Sequence, residues 1–511
     1  MNMPPGYDRD KLSAGAPSLD EIFIRSVARK PDEIAFLDPA DKPRITNQPP
    51  HRLTFGEADS AVSALAAHFV QSGLPVSSIV AMQLPNTIEL MITVLAAWRA
   101  GLVVALLPLL WRQAELTDAL NRIGARALIT SARIDGINHA DIALQAAAEV
   151  FSIRHVAAFG EQLPEGLVPL DDIAATAADT VLFPGPDPRR AALITFDVTS
   201  EGLRAIPRSG AQTIAGGLAA VLEGGIKQGA KILSAVVPAS FAGICSSLVA
   251  SLVSSATLAL HHPFDLETLL AQIADAHCDT LFAPAPLALR LAAERALPES
   301  GPLRKVIGLW RSPEQAGTSA TWRGKAAFSD LYAFGEVGFF SVARDGDGNP
   351  EPIFPGAHAA RGARATAMAC EPVISRNGTL GLKGPMVPLA AYAPPQRREE
   401  SLAALASNYQ PLDYVDTGYA ARLDRKLQAI LITSPPSGIV AVGGYRFLAR
   451  DLNEWAQRLA PGTMLTALPD RLSGHRLAGR ASDNGRARAA LTELGLNPLM
   501  GEAFRDRGGS S

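Results

Sequence analysis

The sequence predicts an α/β protein. A large N-terminal unit of stacked parallel and mixed sheets with helices carries a small β-rich subdomain, and a small α+β unit ends the chain. Three observations predict it. Short apolar runs alternate with amphipathic helical stretches through the first two-thirds, the pattern of strand–helix–strand crossovers and parallel sheet. From about Gly335 to Thr433 the texture changes to short runs punctuated by Gly and Pro, as in "NGTLGLKGPMVPLAAY", which suits antiparallel structure. Beyond "SPPSG", Ser434 to Gly438, a short unit follows with a strand–helix pattern of its own. The expected division is 1–434, with the β-rich part at about 335–434, and 435–511.

The elements follow in order. "LTFGEADSAVSALAAHFVQSG" predicts a short strand and a helix ending at Gly73. "SSIVAMQLP" predicts a strand. "NTIELMITVLAAWRAG" predicts a helix capped by Asn86 and stopped by Gly101. "VVALLPLL" and "ARALIT" predict strands on either side of the helix "RQAELTDALNRIG". The rhythm returns with "KILSAVVP", "ATLALHH" and "DTLFAPA" as strands. "GICSSLVASLVSS", "DLETLLAQIADAHC" and "PLALRLAAERAL" are the helices between and after them. In the tail, "GIVAVGGYRFLARDLNEWAQRL" predicts strands and a helix, and "DNGRARAALTEL" a further helix.

Composition narrows the function. With 511 residues, 48% of them hydrophobic, the chain buries a large core. A formal net charge of -3 offers no basic excess for a phosphate backbone, which argues against nucleic acid as a partner. Cys245, Cys278 and Cys370 are far apart and lack metal-ligand spacing, so they read as buried thiols of a reducing compartment. The N-terminal "MNMPPGYDRDKLSAGAPSLDEIF" has no apolar core behind a basic segment, so no signal peptide is expected. The longest apolar stretches are interrupted by polar residues, so no transmembrane segment is expected. A cytoplasmic protein is the expectation. His261 and His262 are adjacent on a strand and point to opposite faces, which argues against a metal pair.

Five segments, in order, resemble the superfamily of adenylate-forming enzymes, which comprises acyl-CoA synthetases, adenylation domains and luciferases. They are "LTFGEADSAVSALAAHFVQSGLPVSSIVAMQLPNTIELMITVLAAWRAGLVVALLPLL", "NGTLGLKGPMVPLAAY", "VDTGYAARLD", "IVAVGGYRFLARDLNEW" and "LPDRLSGHRLAGR". The resemblance spans almost the whole chain. It implies an AMP-dependent ligase: a carboxylate attacks the α-phosphate of ATP to give an acyl-adenylate, and a thiol such as coenzyme A or a carrier protein then displaces AMP. It also implies Mg, a hinge and a mobile C-terminal domain, since charge on the triphosphate must be offset and the two steps need different arrangements.

Matched one at a time, the residues both fit and depart. "DVTSEG" falls on the family's phosphate loop; Thr199, Ser200 and Gly202 are the expected nucleotide contacts, while Asp197 and Glu201 place acids there and Ala205 falls near the loop lysine. "YAFGEVG" falls on the family's Tyr-Gly-x-Thr-Glu, which makes Glu336 the expected metal- and phosphate-facing catalytic carboxylate, with Gly335 where a threonine is usual. "DTGYAARLD" keeps Thr417, and Tyr419 replaces the aspartate that holds the ribose. Pro435 stands at the arginine before the hinge, and His475 at the lysine that serves adenylation. "VVPASFAGI" falls on the acyl pocket, with Phe241 and Gly243 as its expected walls.

Three functions follow. The first is an acyl-CoA-synthetase-like ligase working through an acyl-adenylate with ATP and Mg. The second is a catalytically degenerate homologue acting as a partner subunit or ligand-binding protein. The third is an acyl-transfer enzyme that uses a preformed activated acyl group and needs fewer triphosphate contacts.

Overall fold

A computed structural model describes residues 17–176, 189–356, 358–359, 368–392 and 413–505. Most of the N-terminal stretch read for a signal peptide lies outside the described residues.

Two large sheets form the centre. The first has eight strands in the order Gly338–Ala343, Ala327–Phe334, Lys305–Trp310, Thr280–Pro284, Lys231–Ser234, Thr257–Leu260, Ile34–Leu37 and Arg52–Thr54, parallel except at its two edges. The second has seven: Gly202–Ser209, Ala191–Thr199, Val103–Leu106, Ile79–Gln83, Ala127–Ser131, His155–Phe159 and Val168–Pro169. It is parallel except for the hairpin made by its first two strands. One continuous apolar cluster joins the sheets through the helices Ile88–Arg99 and Gly210–Gly224. The helix Ile88–Arg99 is buried on nearly all sides, which is why its sequence is apolar all round rather than striped.

Four sequence expectations are corrected. Asn86 does not cap the helix that follows it. Its amide donates to the carbonyls of Ser234 (3.0 Å) and His261 (3.2 Å) and so ties the two sheets together. The Ile88 N–H is satisfied instead by the Asp38 carboxylate at 2.8 Å. The strand of "VVALLPLL" ends at Leu106, ahead of Pro108, which has no N–H for a ladder. The helix of "GICSSLVASLVSS" begins earlier, at Phe241, and passes through a π-turn at Cys245–Val249. The strand Gly338–Ala343, assigned to the β-rich subdomain, turns back at Gly335 and pairs with Ala327–Phe334 in the eight-stranded sheet.

Among the described residues a third sheet, His358–Ala359, Met368–Ile374, Thr379–Lys383, Val415–Asp424 and Ala429–Ser434, is antiparallel throughout. After Pro435–Gly438 comes a separate C-terminal domain. Its four strands run in the order Tyr445–Leu448, Ile439–Val442, Gly474–Arg480 and Met464–Asp470, and the helices Ala449–Leu459 and Asn484–Glu493 pack on them. Leu452, Leu465, Leu477, Leu491 and Phe504 give it a core of its own. Cys245, Cys278 and Cys370 are buried and unpaired. Among the described residues no helix is long and apolar enough to cross a membrane.

Candidate functional site

The stretch read as a phosphate loop is a hairpin. The strand Ala191–Thr199 runs through Asp197, turns over Ser200 and Glu201, and returns as Gly202–Ser209, with Thr199 paired to Gly202 and Asp197 to Arg204. Alternating apolar residues, Ile194, Phe196 and Val198, carry the strand past the point where the sequence was read as a loop. The turn is closed on itself. Gly202 takes φ 106°, Thr199 Oγ1 donates to the Gly202 carbonyl at 3.3 Å, and the Glu201 N–H donates to Thr199 Oγ1 at 3.3 Å. Glu201 also pairs with Arg204. Arg204 of this hairpin is therefore paired with the acid beside it.

Asp197 is the centre of the arrangement. It is 4% exposed. Its Oδ1 accepts from Arg446 Nη1 at 2.9 Å, and its Oδ2 accepts from the Tyr392 hydroxyl at 2.8 Å and the Glu336 N–H at 3.2 Å. Arg446 comes from the C-terminal domain, and its Nη2 donates to the Tyr419 hydroxyl at 2.9 Å. Gly335 takes φ 57°, and a Cβ there would lie 2.6 Å from Arg446 Nη1 and 2.7 Å from Asp197 Oδ2. Asp197, Gly335 and Tyr419 thus meet around one guanidinium. Burial works against the charge of Arg446, but Tyr419 and Asp197 outweigh it and raise its pKa, while burial pushes the Tyr419 phenol up to about 12.

Glu336 sits on the other side of this cluster, 5% exposed. Its Oε2 accepts the Phe241 N–H at 2.7 Å. Burial raises its pKa, against the lowering effect of Arg311 and Arg208. Arg208 is fully buried behind it. Its guanidinium lies 3.6 Å from the centre of the Phe241 ring, a cation–π contact, and donates to the carbonyls of Glu336, Val337 and Met386 and to Thr195 Oγ1. Phe241 also packs against Phe339. Gly243 has no room for a side chain, since a Cβ would come within 2.1 Å of the Val237 carbonyl oxygen.

A small cleft opens between the large domain and the C-terminal domain. Asp197, Gly335, Glu336, Arg311, Tyr445 and Arg446 border it, and Trp111 and Phe196, in edge contact at 5.2 Å, form its apolar side. Its volume is about 60 Å³, room for a few water molecules. Tyr445 closes one end, its hydroxyl accepting the Leu110 N–H at 3.2 Å. Gln315 also reaches the Gly474 carbonyl, and the Asn497 N–H reaches Glu115 Oε1 at 2.7 Å, so the C-terminal domain is held at several points.

The model of the AMP-binding enzyme family matches residues 23–359, more than half of the chain. The chain belongs to that family. Solved structures agree on the fold. An o-succinylbenzoate CoA synthetase double mutant from Bacillus subtilis, bound with a product analogue, is 15% identical, with TM-score 0.69 over 94% of this chain and 92% of its own. An artificially fused adenylation–PCP di-domain, NpsA-ThdA from Klebsiella oxytoca, is 17% identical, with TM-score 0.66 over 95% and 93%. The amide bond synthetase McbA from Marinactinospora thermotolerans is 17% identical, with TM-score 0.69 over 95% and 94%. A curated relative, "Chalcone synthase cfoA" of Aspergillus candidus, is 30% identical over 115 residues, 22% of this chain and 4% of its own length.

Within the AMP-binding fold, the expected site residues divide. Glu336 and Gly335 border the cleft, and Tyr419 meets it through Arg446. Thr199, Ser200 and Gly202 lie at the hairpin end, beyond the strand residues that line the cleft. Thr417 is buried and donates to the Leu380 carbonyl at 2.7 Å, a contact inside the β-rich sheet. Phe241 and Gly243 stand behind the cleft wall, which Ala239 and Ser240 form. His475 is on the strand Gly474–Arg480, where Nδ1 lies 3.3 Å from the Ala441 carbonyl oxygen; it is not among the residues that border the cleft. Arg446, Arg311 and Tyr392 were missed. The signal for Arg446 was available: an unexplained buried-side acid, Asp197, needs a cation, and "GGYRF" supplies one.

Proposed function

We propose that the protein is an acyl-CoA-synthetase-like member of the AMP-binding family that binds an acyl group already activated, as an acyl-adenylate or acyl-thioester, and serves its transfer. The observation that carries this reading is the socket around Arg446. At the positions where the resemblance puts phosphate and ribose contacts, Asp197, Gly335 and Tyr419 are spent on an arginine of the same chain.

Mg-ATP fits these residues poorly. Both oxygens of Asp197 are in use, Glu336 gives one oxygen to a backbone N–H, and burial favours its neutral form. At the two-residue turn the Glu201 N–H is already given to Thr199 Oγ1, so it is not free to cradle a phosphate. No step is therefore routed through Mg-ATP. What these residues do is orient. Arg208 and the Phe241 N–H hold Glu336, and Tyr392 holds Asp197. The CoA product analogue of one structural neighbour and the PCP domain of another support an acyl group carried on CoA or a carrier protein. The three free thiols support a reducing, cytoplasmic setting.

A second reading is the complete ligase, with Glu336 facing Mg and His475 in a catalytic role. One observation favours it: the cation that fills the socket belongs to a domain joined by the short linker Pro435–Gly438, so movement of that domain would vacate the socket. Isothermal titration separates the two. The first reading expects tight binding of an acyl-sulfamoyl-adenosine, no binding of Mg-ATP at millimolar concentration, and no pyrophosphate release across a panel of carboxylic acids. Pyrophosphate release that is lost in Glu336→Gln overturns it in favour of the ligase.

A further inference from the structure

A buried primary amide stands behind Trp111. Gln83 ends the strand Ile79–Gln83 and is fully buried. Beside it the chain leaves the strand Val103–Leu106, bends over Pro108–Trp111 and enters the helix Gln113–Ile123. The Trp111 N–H closes that bend on the Pro108 carbonyl at 3.2 Å, as in a β-turn. Gln83 Nε2 donates to the carbonyls at both of its ends, Pro108 at 2.9 Å and Trp111 at 3.0 Å. Both N–H bonds of one amide are thus given to one turn, which fixes the side chain and aims its oxygen elsewhere. Gln83 Oε1 lies 3.0 Å from Nδ1 of His139, which is 1% exposed and opens the helix His139–Ala148. An amide oxygen accepts and does not donate, so Nδ1 carries the proton. Burial, and after it the charge of Arg112, keep the imidazole neutral by lowering its pKa to about 3.

The supported turn faces two ways. Trp111 borders the cleft and meets Phe196 edge-on at 5.2 Å, while the Leu110 N–H donates to the Tyr445 hydroxyl of the C-terminal domain at 3.2 Å. Just downstream, the Ala114 N–H reaches the Gly495 carbonyl at 3.1 Å and Glu115 takes the Asn497 N–H at 2.7 Å. We propose that Gln83, braced by His139, is a positioning residue: it holds the turn Pro108–Trp111 so that Trp111 walls the cleft while the Leu110 N–H docks Tyr445. Occupation of the cleft and docking of the C-terminal domain then share one support inside the large domain. The proposal rests on the reading of an acyl ligand for what enters the cleft, though not for the support itself. Arg112 does not stand in for Gln83. Its Nη1 donates to the carbonyls of Leu109 (2.9 Å) and Trp111 (3.1 Å), which leaves the Pro108 end to the glutamine. The amide is also the right group for the place, because a carboxylate has no N–H to give to two carbonyls.

The test uses the full chain and reads the two faces of the turn separately. Trp111 emission is taken as the difference between a chain and its Trp111→Phe counterpart, and the Leu110 N–H is followed by hydrogen exchange. Gln83→Met keeps the volume and removes both donors. The Pro108 and Trp111 carbonyls each keep one partner, so the fold should survive, and circular dichroism checks it. Acrylamide quenching of Trp111 should rise severalfold and exchange at Leu110 about tenfold, as two lost hydrogen bonds imply, with the amides of Val103–Leu106 unchanged. A residue that merely fills space would leave both readouts where they are. His139→Leu, which removes the brace alone, should move both in the same direction by a smaller factor. His139→Asn, which puts an amide N–H near the place of Nδ1, should return them towards wild type; if Gln83→Met does not fold, this pair carries the test. Wild-type readouts in folded Gln83→Met, or equal readouts in the two His139 variants, overturn the proposal. An acyl-sulfamoyl-adenosine should bind Gln83→Met about tenfold more weakly than wild type. Equal binding with the turn released overturns the positioning role. No binding to wild type, with both readouts moved in Gln83→Met, sinks the acyl reading and leaves the positioning role standing.

Discussion

Replacing Gly335 by alanine should loosen the C-terminal domain. The added Cβ would lie 2.6 Å from Arg446 Nη1 and 2.7 Å from Asp197 Oδ2, distances at which something must move. The backbone is fixed in the left-handed region at φ 57°, where a residue with a Cβ costs about 1–2 kcal/mol on its own. The lighter partner to displace is the arginine, at the end of a flexible side chain. Arg446 and Asp197 are only 15% and 4% exposed, so separating them loses a partly buried ion pair. Breaking such a pair costs about 3–5 kcal/mol when one charge is left uncompensated. The Tyr392 hydroxyl and the Glu336 N–H still serve Asp197, so the lower end, about 3 kcal/mol, is the appropriate figure. That corresponds to a loss of about a hundredfold in the ratio of docked to undocked domain.

Hydrogen exchange reads it directly. The Leu110 N–H donates to the Tyr445 hydroxyl across the domain boundary, and the Asn497 N–H to Glu115. Both should exchange faster in Gly335→Ala, while the core of the eight-stranded sheet should not change. Arg446→Ala should produce the same acceleration. The double variant should lose little beyond Arg446→Ala, about the backbone term alone, because the clash has no partner left. Unchanged exchange at Leu110 in Gly335→Ala, or single effects that simply add in the double variant, would refute the claim that Gly335 exists to admit Arg446.

Further outcomes follow from other sites. Burial raises the Glu223 carboxyl from its ordinary 4.5 to about 7, outweighing the Ser341 N–H bond that favours its charge. The folded state therefore holds the proton more tightly than the unfolded chain, and the stability this contributes, at most about 3 kcal/mol, is present below about pH 4.5 and lost as pH rises to about 7. Thermal melts across that window should show the decline, and Glu223→Gln should flatten it. Lys42 is buried between Asp38 (2.7 Å) and Glu89, so Lys42→Met, which strands both acids, should cost about 3–5 kcal/mol in urea denaturation. Gly243→Ala, with its Cβ 2.1 Å from the Val237 carbonyl oxygen, should lower the melting temperature more than Gly444→Ala, whose Cβ would meet nothing nearer than 3.9 Å. His475→Ala should change ligand affinity by less than about twofold, since His475 does not border the cleft; a larger loss by calorimetry would restore it to the site.

How far the chain could be read in advance depended on whether a signal was local. The alternation that announces parallel sheet is local, and it survives because strands and helices need a pattern a few residues wide. Asn86 shows where that fails. A polar residue ahead of an apolar helix reads as a cap, yet its amide spans two sheets to Ser234 and His261, and Asp38, some fifty positions earlier, does the capping. The site failed in the same way and more instructively. Taken singly, Asp197 looks like an acid in the wrong loop, Gly335 like a lost hydroxyl and Tyr419 like a lost ribose contact, and each suggests decay. Their common partner is 249 positions from the first of them in sequence and in another domain. Asp197 gives a carboxylate to the guanidinium, Tyr419 gives a hydroxyl to the same group, and Gly335 leaves room where a Cβ would block it. Asp197, Gly335 and Tyr419 form one arrangement around Arg446, and only the fold that brings the two domains together makes it legible.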